Sequence, residues 1–158
     1  MKKAHIIFID DQIDVLSSLR NDLDIFRKKF ILDDCESADE AWDLLEEVDA
    51  DGESVALILS DHVMPNKSGI DFLSEVANDD RFEKIPRVLI TGQASHSDTI
   101  NAINNASINS YISKPWSVEK LHDIVKKIIT DWVVDNDLNH QDFEGLIDPE
   151  VLFNRIKN

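Results

Sequence analysis

Two adjacent carboxylates, Asp10-Asp11, close the apolar run His5-Ile-Ile-Phe-Ile, and a third acid, Asp61, closes a second run, Val55-Ala-Leu-Ile-Leu-Ser. A third run, Arg87-Val-Leu-Ile, ends in Thr91-Gly92, and a fourth, Ser110-Tyr-Ile-Ser, ends in Lys114-Pro115. As parallel strands of one sheet, these runs bring three carboxylates, a hydroxyl and an ammonium to a single edge. Ionised acids a few ångströms apart repel one another, and in isolation one of them holds its proton more tightly. A hard divalent cation relieves that conflict, and a donor set of carboxylates and water suits Mg2+ better than Zn2+. Asp61 then has a second use, because a carboxylate that attacks phosphorus becomes an aspartyl phosphate. The transition state spreads charge over equatorial oxygens, which Lys114, the Thr91 hydroxyl and backbone amides can meet. Taken singly, Asp10-Asp11 reads as a solvated, helix-capping pair, and Thr91 and Lys114 as ordinary strand-end residues. Their arrival at successive strand ends carries the reading.

The elements that must position these groups alternate along the chain. His5 to Ile9 is unbroken apolar sequence, as in a strand buried on both faces. Leu16, Leu19, Leu23 and Phe26 recur at helical spacing behind the acids, and a short strand is predicted near Phe30-Ile-Leu. Ser37-Ala-Asp-Glu40 is a capping box for a helix carrying Ala41, Leu44, Leu45 and Val48, which Asp51-Gly52 ends. Val55 to Ser60 is the next strand, and Gly69 opens a helix with Ile70, Leu73 and Val76 inward. Val88 to Ile90 is predicted as a strand, a helix rich in Asn and Ser runs from about Asp98 to Asn105, and Tyr111-Ile112 is the last strand. Ser117 caps a final helix through Leu121, Ile124, Val125 and Ile128. Strands alternating with helices predict an α/β chain: a doubly wound, five-stranded parallel sheet with helices on both faces. Such sheets bind ligands beyond the carboxyl ends of their strands, where the strand order switches. Periodicity does not set that order.

Composition narrows the partners. The 158 residues hold 32 Asp and Glu against 16 Lys and Arg, a net charge of −16, which repels nucleic-acid phosphates and anionic lipid. Direct nucleic-acid or membrane binding is therefore not expected. A single cysteine, Cys35, excludes an internal disulfide and a multi-cysteine zinc site, and reads as a small buried residue at a strand end. No apolar stretch reaches membrane-spanning length, and the opening Met-Lys-Lys-Ala-His lacks a signal-peptide pattern, so a cytoplasmic location is expected. From Asp131 the chain turns acidic and Asn-rich, dividing it into residues 1–130 and a partly helical extension, 131–158. Within the extension, Asp148-Pro149-Glu150 reads as a helix start, with Val151, Leu152 and Ile156 as one apolar stripe.

Together, Asp10-Asp11, Asp61-His-Val-Met64-Pro65-Asn-Lys-Ser-Gly69, Thr91-Gly92, Tyr111 and Lys114-Pro115 resemble a response-regulator receiver domain over about the first 130 residues. The resemblance implies the flavodoxin-like strand order 2-1-3-4-5. It implies that Asp61 is the phosphoacceptor, that Asp11 ligates Mg2+ directly and Asp10 largely through water, and that the Val63 backbone carbonyl completes the protein ligands. Lys114 and Thr91 would hold the phosphoryl oxygens, and the Lys114-Pro115 bond would be cis, which for an X-Pro bond needs little free energy. Thr91 would move toward the phosphoryl group while Tyr111 fills the vacated space, remodelling the face of the fourth helix, fifth strand and fifth helix. Val63 and Gln93 occupy the positions that tune hydrolysis; an apolar Val63 cannot orient water, whereas Gln93 can. A phosphohistidine role for His62 is disfavoured, and Trp116 is expected to pack on the first turn of the last helix.

The function implied is a signalling receiver that takes a phosphoryl group from a histidine kinase or phosphotransfer protein and alters its binding to a downstream protein or output domain. Its product is itself modified, so it is not an enzyme in the usual sense. A Mg2+-dependent small-molecule phosphohydrolase is the alternative, but such sites often place an acid two residues after a strand-end nucleophilic Asp, which Asp10-Asp11-Gln12 does not do. A module used only for binding is at odds with the intact acids, Thr91 and Lys114. The extension is compatible with a longer fifth helix, an amphipathic lid, a homodimer contact, or the start of further domains in a longer regulator.

Overall fold

Strand β1 (Ala4–Ile9) is buried at every position because it lies inside the sheet with helices on both sides. Its side chains alternate, Ile6 and Phe8 entering one apolar layer and Ile7 and Ile9 the other. The computed structural model describes residues 2–92 and 96–157. Around β1 stand β2 (Ile31–Cys35), β3 (Ser54–Ser60), β4 (Arg87–Thr91) and β5 (Ser110–Ser113), all parallel, in the order β2-β1-β3-β4-β5. Helices α1 (Ile13–Asp22) and α5 (Val118–Asp135) cover one face through Leu16, Leu19, Leu121, Val125 and Ile129. Helices α2 (Ala38–Ala50), α3 (Gly69–Ala77) and α4 (His96–Asn105) cover the other through Leu45, Phe72, Leu73 and Ala102.

The predicted helix starts hold where a cap is written into the sequence. The hydroxyls of Ser37, Ser68 and Ser117 accept from the N–H groups of Glu40, Asp71 and Lys120, each at 3.1 Å. The capping box is displaced by one residue: Glu40 reaches back to the Glu36 N–H at 3.0 Å rather than to Ser37. Two boundaries differ from expectation. The run Leu16 to Phe26 is not one helix, since α1 ends at Asp22 and a 3-10 turn over Asp24–Lys28 carries Phe26 inward. Strand β2 starts at Ile31 and extends through Asp33 and Asp34 to Cys35, which is buried at the strand end; burial pushes its thiol up to about 12.

The acidic extension contributes core. Helix α5 runs on to Asp135, the chain turns through a 3-10 segment over His140–Phe143, and α6 (Pro149–Ile156) folds back along α5. Phe143 and Leu146 are buried beside Phe30 and Trp132, with ring centroids 5.8 Å and 6.1 Å from Phe143. The buried Thr130 hydroxyl accepts from the Asp148 N–H at 2.8 Å, and Arg155 bridges Asp131 and Asp135 at 2.7 and 2.6 Å. Asp148 caps α6 through the N–H groups of Glu150 and Val151. The stripe foreseen on α6 is only partly covered: Val151 and Leu152 are half-buried and Ile156 is exposed.

Candidate functional site

The register of the sheet brings the acids together. Ile9 pairs with Ser60, and the ladder continues one residue further, with the Asp61 N–H donating to Ile9 O at 2.9 Å and the Asp10 N–H to Cys35 O at 3.1 Å. Asp10 and Asp61 are thus neighbours at the carboxyl edge, with Asp11 next in the chain. One carboxylate oxygen from each of the three acids lies within 4.8 Å of the others. Thr91 stands at the end of β4 beside Ser113 of β5, and Lys114 follows.

The two halves of the acidic pair differ sharply. Asp10 is fully buried, and both its oxygens are engaged: Oδ1 accepts from the Gln12 N–H at 2.9 Å and Oδ2 from Lys114 Nζ at 2.6 Å. Asp11 is exposed. Lys114 Nζ also stands 3.3 Å from Asp61 Oδ1, so one ammonium spans two carboxylates. Burial, and then the Asp10 charge, push the Asp61 carboxyl above its ordinary range; Lys114 and a hydrogen bond from Thr91 oppose them. Asp11, Asp61, Val63, Thr91 and Lys114 line one open cleft of about 350 Å3. Val63 is exposed and Met64 buried, and the Lys114-Pro115 bond is cis. Half-buried Tyr111 donates from its hydroxyl to Thr91 O at 3.2 Å. Gln93 lies outside the described residues.

Gly69 stood in the motif read from the sequence, but the contact that requires it, and the other supports of the site, were not legible there. A Cβ at Gly69 would lie 1.8 Å from the Asp61 carbonyl oxygen, so only glycine lets α3 start this close to the acceptor strand. The Gly69 N–H donates to His62 O at 2.8 Å, closing the loop between them. Glu75 anchors that loop from α3, accepting from Lys67 Nζ and, at 2.9 Å, from Trp42 Nε1. Trp116 packs against the α1–α5 core and reaches past α5 to donate to Asp22 of α1 at 2.9 Å. Lys67 lies in the loop before α3 and Glu75 on the helix, so no helical spacing marked this pair in the sequence.

A parallel sheet of this order, with three acids at its carboxyl edge and a lysine across them, defines a CheY-like α/β fold with an acidic pocket typical of phospho-accepting sites. The model of the response regulator receiver domain matches residues 6–126, and the chain belongs to that family. It is a receiver of two-component signalling, a class of module that is generally not enzymatic. The chain is 34% identical over 143 residues to the hydrogenase transcriptional regulatory protein HoxA of Cupriavidus necator, covering 90% of this chain but 28% of that protein. It is 29% identical over 124 residues to the chemotaxis protein CheY1 of Helicobacter pylori, covering 78% of this chain and 95% of that one. Among solved structures, the signal receiver domain of an HD domain-containing protein from Pseudomonas fluorescens Pf-5 superimposes with a TM-score of 0.74 at 23% identity, covering 87% of this chain and 94% of that one. The chain thus spans about a quarter of HoxA. Among the described residues no helix is long and apolar enough to cross a membrane.

The acidic donor set fits a hard cation. Three carboxylates bearing one ammonium leave net negative charge in a partly buried site, and all the side-chain donors are oxygens.

Proposed function

We propose that Asp61 accepts a phosphoryl group from a histidine kinase or phosphotransfer protein, and that the modified chain changes its binding to a downstream protein or output domain. One observation carries this reading: Asp10, Asp11 and Asp61 converge within 4.8 Å under an ammonium that spans two of them. Asp61 attacks phosphorus, an O–P bond forms, the P–N bond to the donor imidazole breaks, and the imidazole leaves with a proton. Mg2+, held by Asp11, Asp61 and the Val63 carbonyl, with Asp10 acting through water, would neutralise charge on the transferring group. The burial of Asp10 and its two occupied oxygens support that division, because only Asp11 offers the cleft an uncommitted, solvated carboxylate. Lys114 and the Thr91 hydroxyl lie where they can receive phosphoryl oxygens. Thr91 is now engaged with Asp61 and, through its carbonyl, with Tyr111, so a Thr91 that turns to a phosphoryl group alters the packing beneath Tyr111.

We assign the receiver to residues 1–130 and treat 131–158 as an extension that packs on it; the match to HoxA supports a shared arrangement, since it spans more residues than the receiver model does. Incubation with Mg2+ and a small phosphodonor, read by intact mass, tests the proposal. One alkali-labile phosphoryl group is expected, absent from Asp61→Ala. Equal labelling of that variant overturns the assignment.

A further inference from the structure

Lys114 is carried on a four-residue link between the end of β5 at Ser113 and the start of α5 at Val118. The main chain does little to hold its start, since the Lys114 N–H reaches Thr91 O at 3.3 Å. The firm attachment lies two residues on, where Trp116 Nε1 donates to Asp22 Oδ2 at 2.9 Å. One turn into α5, His122 Nε2 donates to the Asp22 main-chain oxygen at 2.6 Å, and its ring packs edge-to-face with Phe26, centroids 5.9 Å apart. Asp22 closes α1, an end where the helix dipole disfavours an acid. The indole N–H gives that carboxylate a reason to be there. Helix α1 starts directly behind Asp10, Asp11 and Gln12, so one ten-residue helix holds the acids at its head and the lysine link at its foot.

We propose that Trp116 is a positioning residue for phosphoryl transfer: its N–H on Asp22 ties the Lys114 link to the helix that carries the acids, so that Nζ spans Asp10 and Asp61. This rests on the role given to Lys114 above. Indole burial alone would fix the ring but not its rotation, whereas the hydrogen bond sets the link against α1.

The test uses the full chain with Trp116→Phe, which keeps an aromatic ring and loses the donor, and Asp22→Ala, which loses the acceptor; Asp22→Asn keeps an acceptor. Initial phosphorylation rates with a small phosphodonor are read by intact mass at saturating Mg2+. Trp116→Phe and Asp22→Ala are each expected to slow transfer about tenfold, as a small misplacement of a charged group does. Asp22→Asn should be close to the parent, and Trp116→Phe should add nothing in a Lys114→Ala background, where there is no ammonium left to place. A parent-like rate for Trp116→Phe, or the same loss with and without Lys114, overturns the proposal. Carbon relaxation at Lys114 Cε supplies a readout that needs no phosphorylation. Side-chain order must fall in Trp116→Phe, and unchanged order overturns the inference even if the parent chain takes no phosphoryl group.

Discussion

Replacing Asp11 by Asn separates the metal reading from a solvated-loop reading, because the two give opposite signs. Asp11 lies within 4.8 Å of both Asp10 and Asp61, measured between carboxylate oxygens. At that distance a pair of unit charges repels by about 0.9 kcal/mol in water and about 3.5 kcal/mol at an effective dielectric constant of about 20. Asp11 is exposed, so the water end applies, and its two pairs together oppose folding by about 1.7 kcal/mol. Lys114 already neutralises part of the Asp10 and Asp61 charge, which lowers the net relief to about 1 kcal/mol. For a chain of this size that raises the melting temperature by roughly 2–4 °C. Mg2+ acts in the other direction: a ligand at ten times its dissociation constant stabilises the parent by about 1.4 kcal/mol. In thermal unfolding with a chelator present, Asp11→Asn is therefore expected to melt above the parent. Added Mg2+ should close or reverse that gap, since the variant has lost a ligand. A variant that melts below the parent in chelator, or that keeps the full Mg2+ increment, refutes the reasoning about charge convergence.

Three further outcomes follow from the geometry. Gly69→Ala drives a methyl group into the Asp61 carbonyl, so it should cost about 1–3 kcal/mol in urea unfolding and depress phosphorylation; parent-like behaviour in both would show that the loop gives way freely. Phe143→Ala empties a buried site between Phe30 and Trp132 and should cost about 3–5 kcal/mol, whereas a loss below about 1 kcal/mol would mean the extension does not share the core. The folded state raises the Asp61 carboxyl above its ordinary range, so the fold holds a proton that the unfolded chain has already released. The parent thus loses stability as pH climbs from the usual carboxylate value through the raised one. Asp61→Asn cannot ionise; without Mg2+ its stability relative to the parent should grow across that window and then level off. A gap that does not change with pH in urea titrations would remove burial of Asp61 as the cause.

Much of the site was legible because a strand covered on both faces has no alternation to disguise its end. The polar residues that follow such a run mark the sheet edge, and Asp10, Asp61 (after Ser60) and Thr91 were found that way, with Lys114 just beyond the fourth run. Edge strand β2 was placed too early because Asp33 and Asp34 face partly outward and break the apolar run. The end of α1 was blurred for a different reason: a 3-10 turn superposes residues three apart, so Leu23 and Phe26 keep the spacing of a helix they do not share. In the extension, Phe143 and Leu146 stand alone in an acidic setting with no sustained apolar period, which gave no hint that they close the α1–α5 core.

The sequence by itself determined the alternation of strands and helices, the serine caps, and the kinds of group that gather at the carboxyl edge, since these follow from local periodicity and side-chain chemistry. Only the tertiary structure decided what each group does there. It buried Asp10 under Lys114 and left Asp11 open, two identical residues with different fates because one faces the sheet and the other the solvent. It also made Gly69 irreplaceable and gave Trp116 a partner 94 positions away, because close approach and long-range hydrogen bonds exist only once the elements have packed.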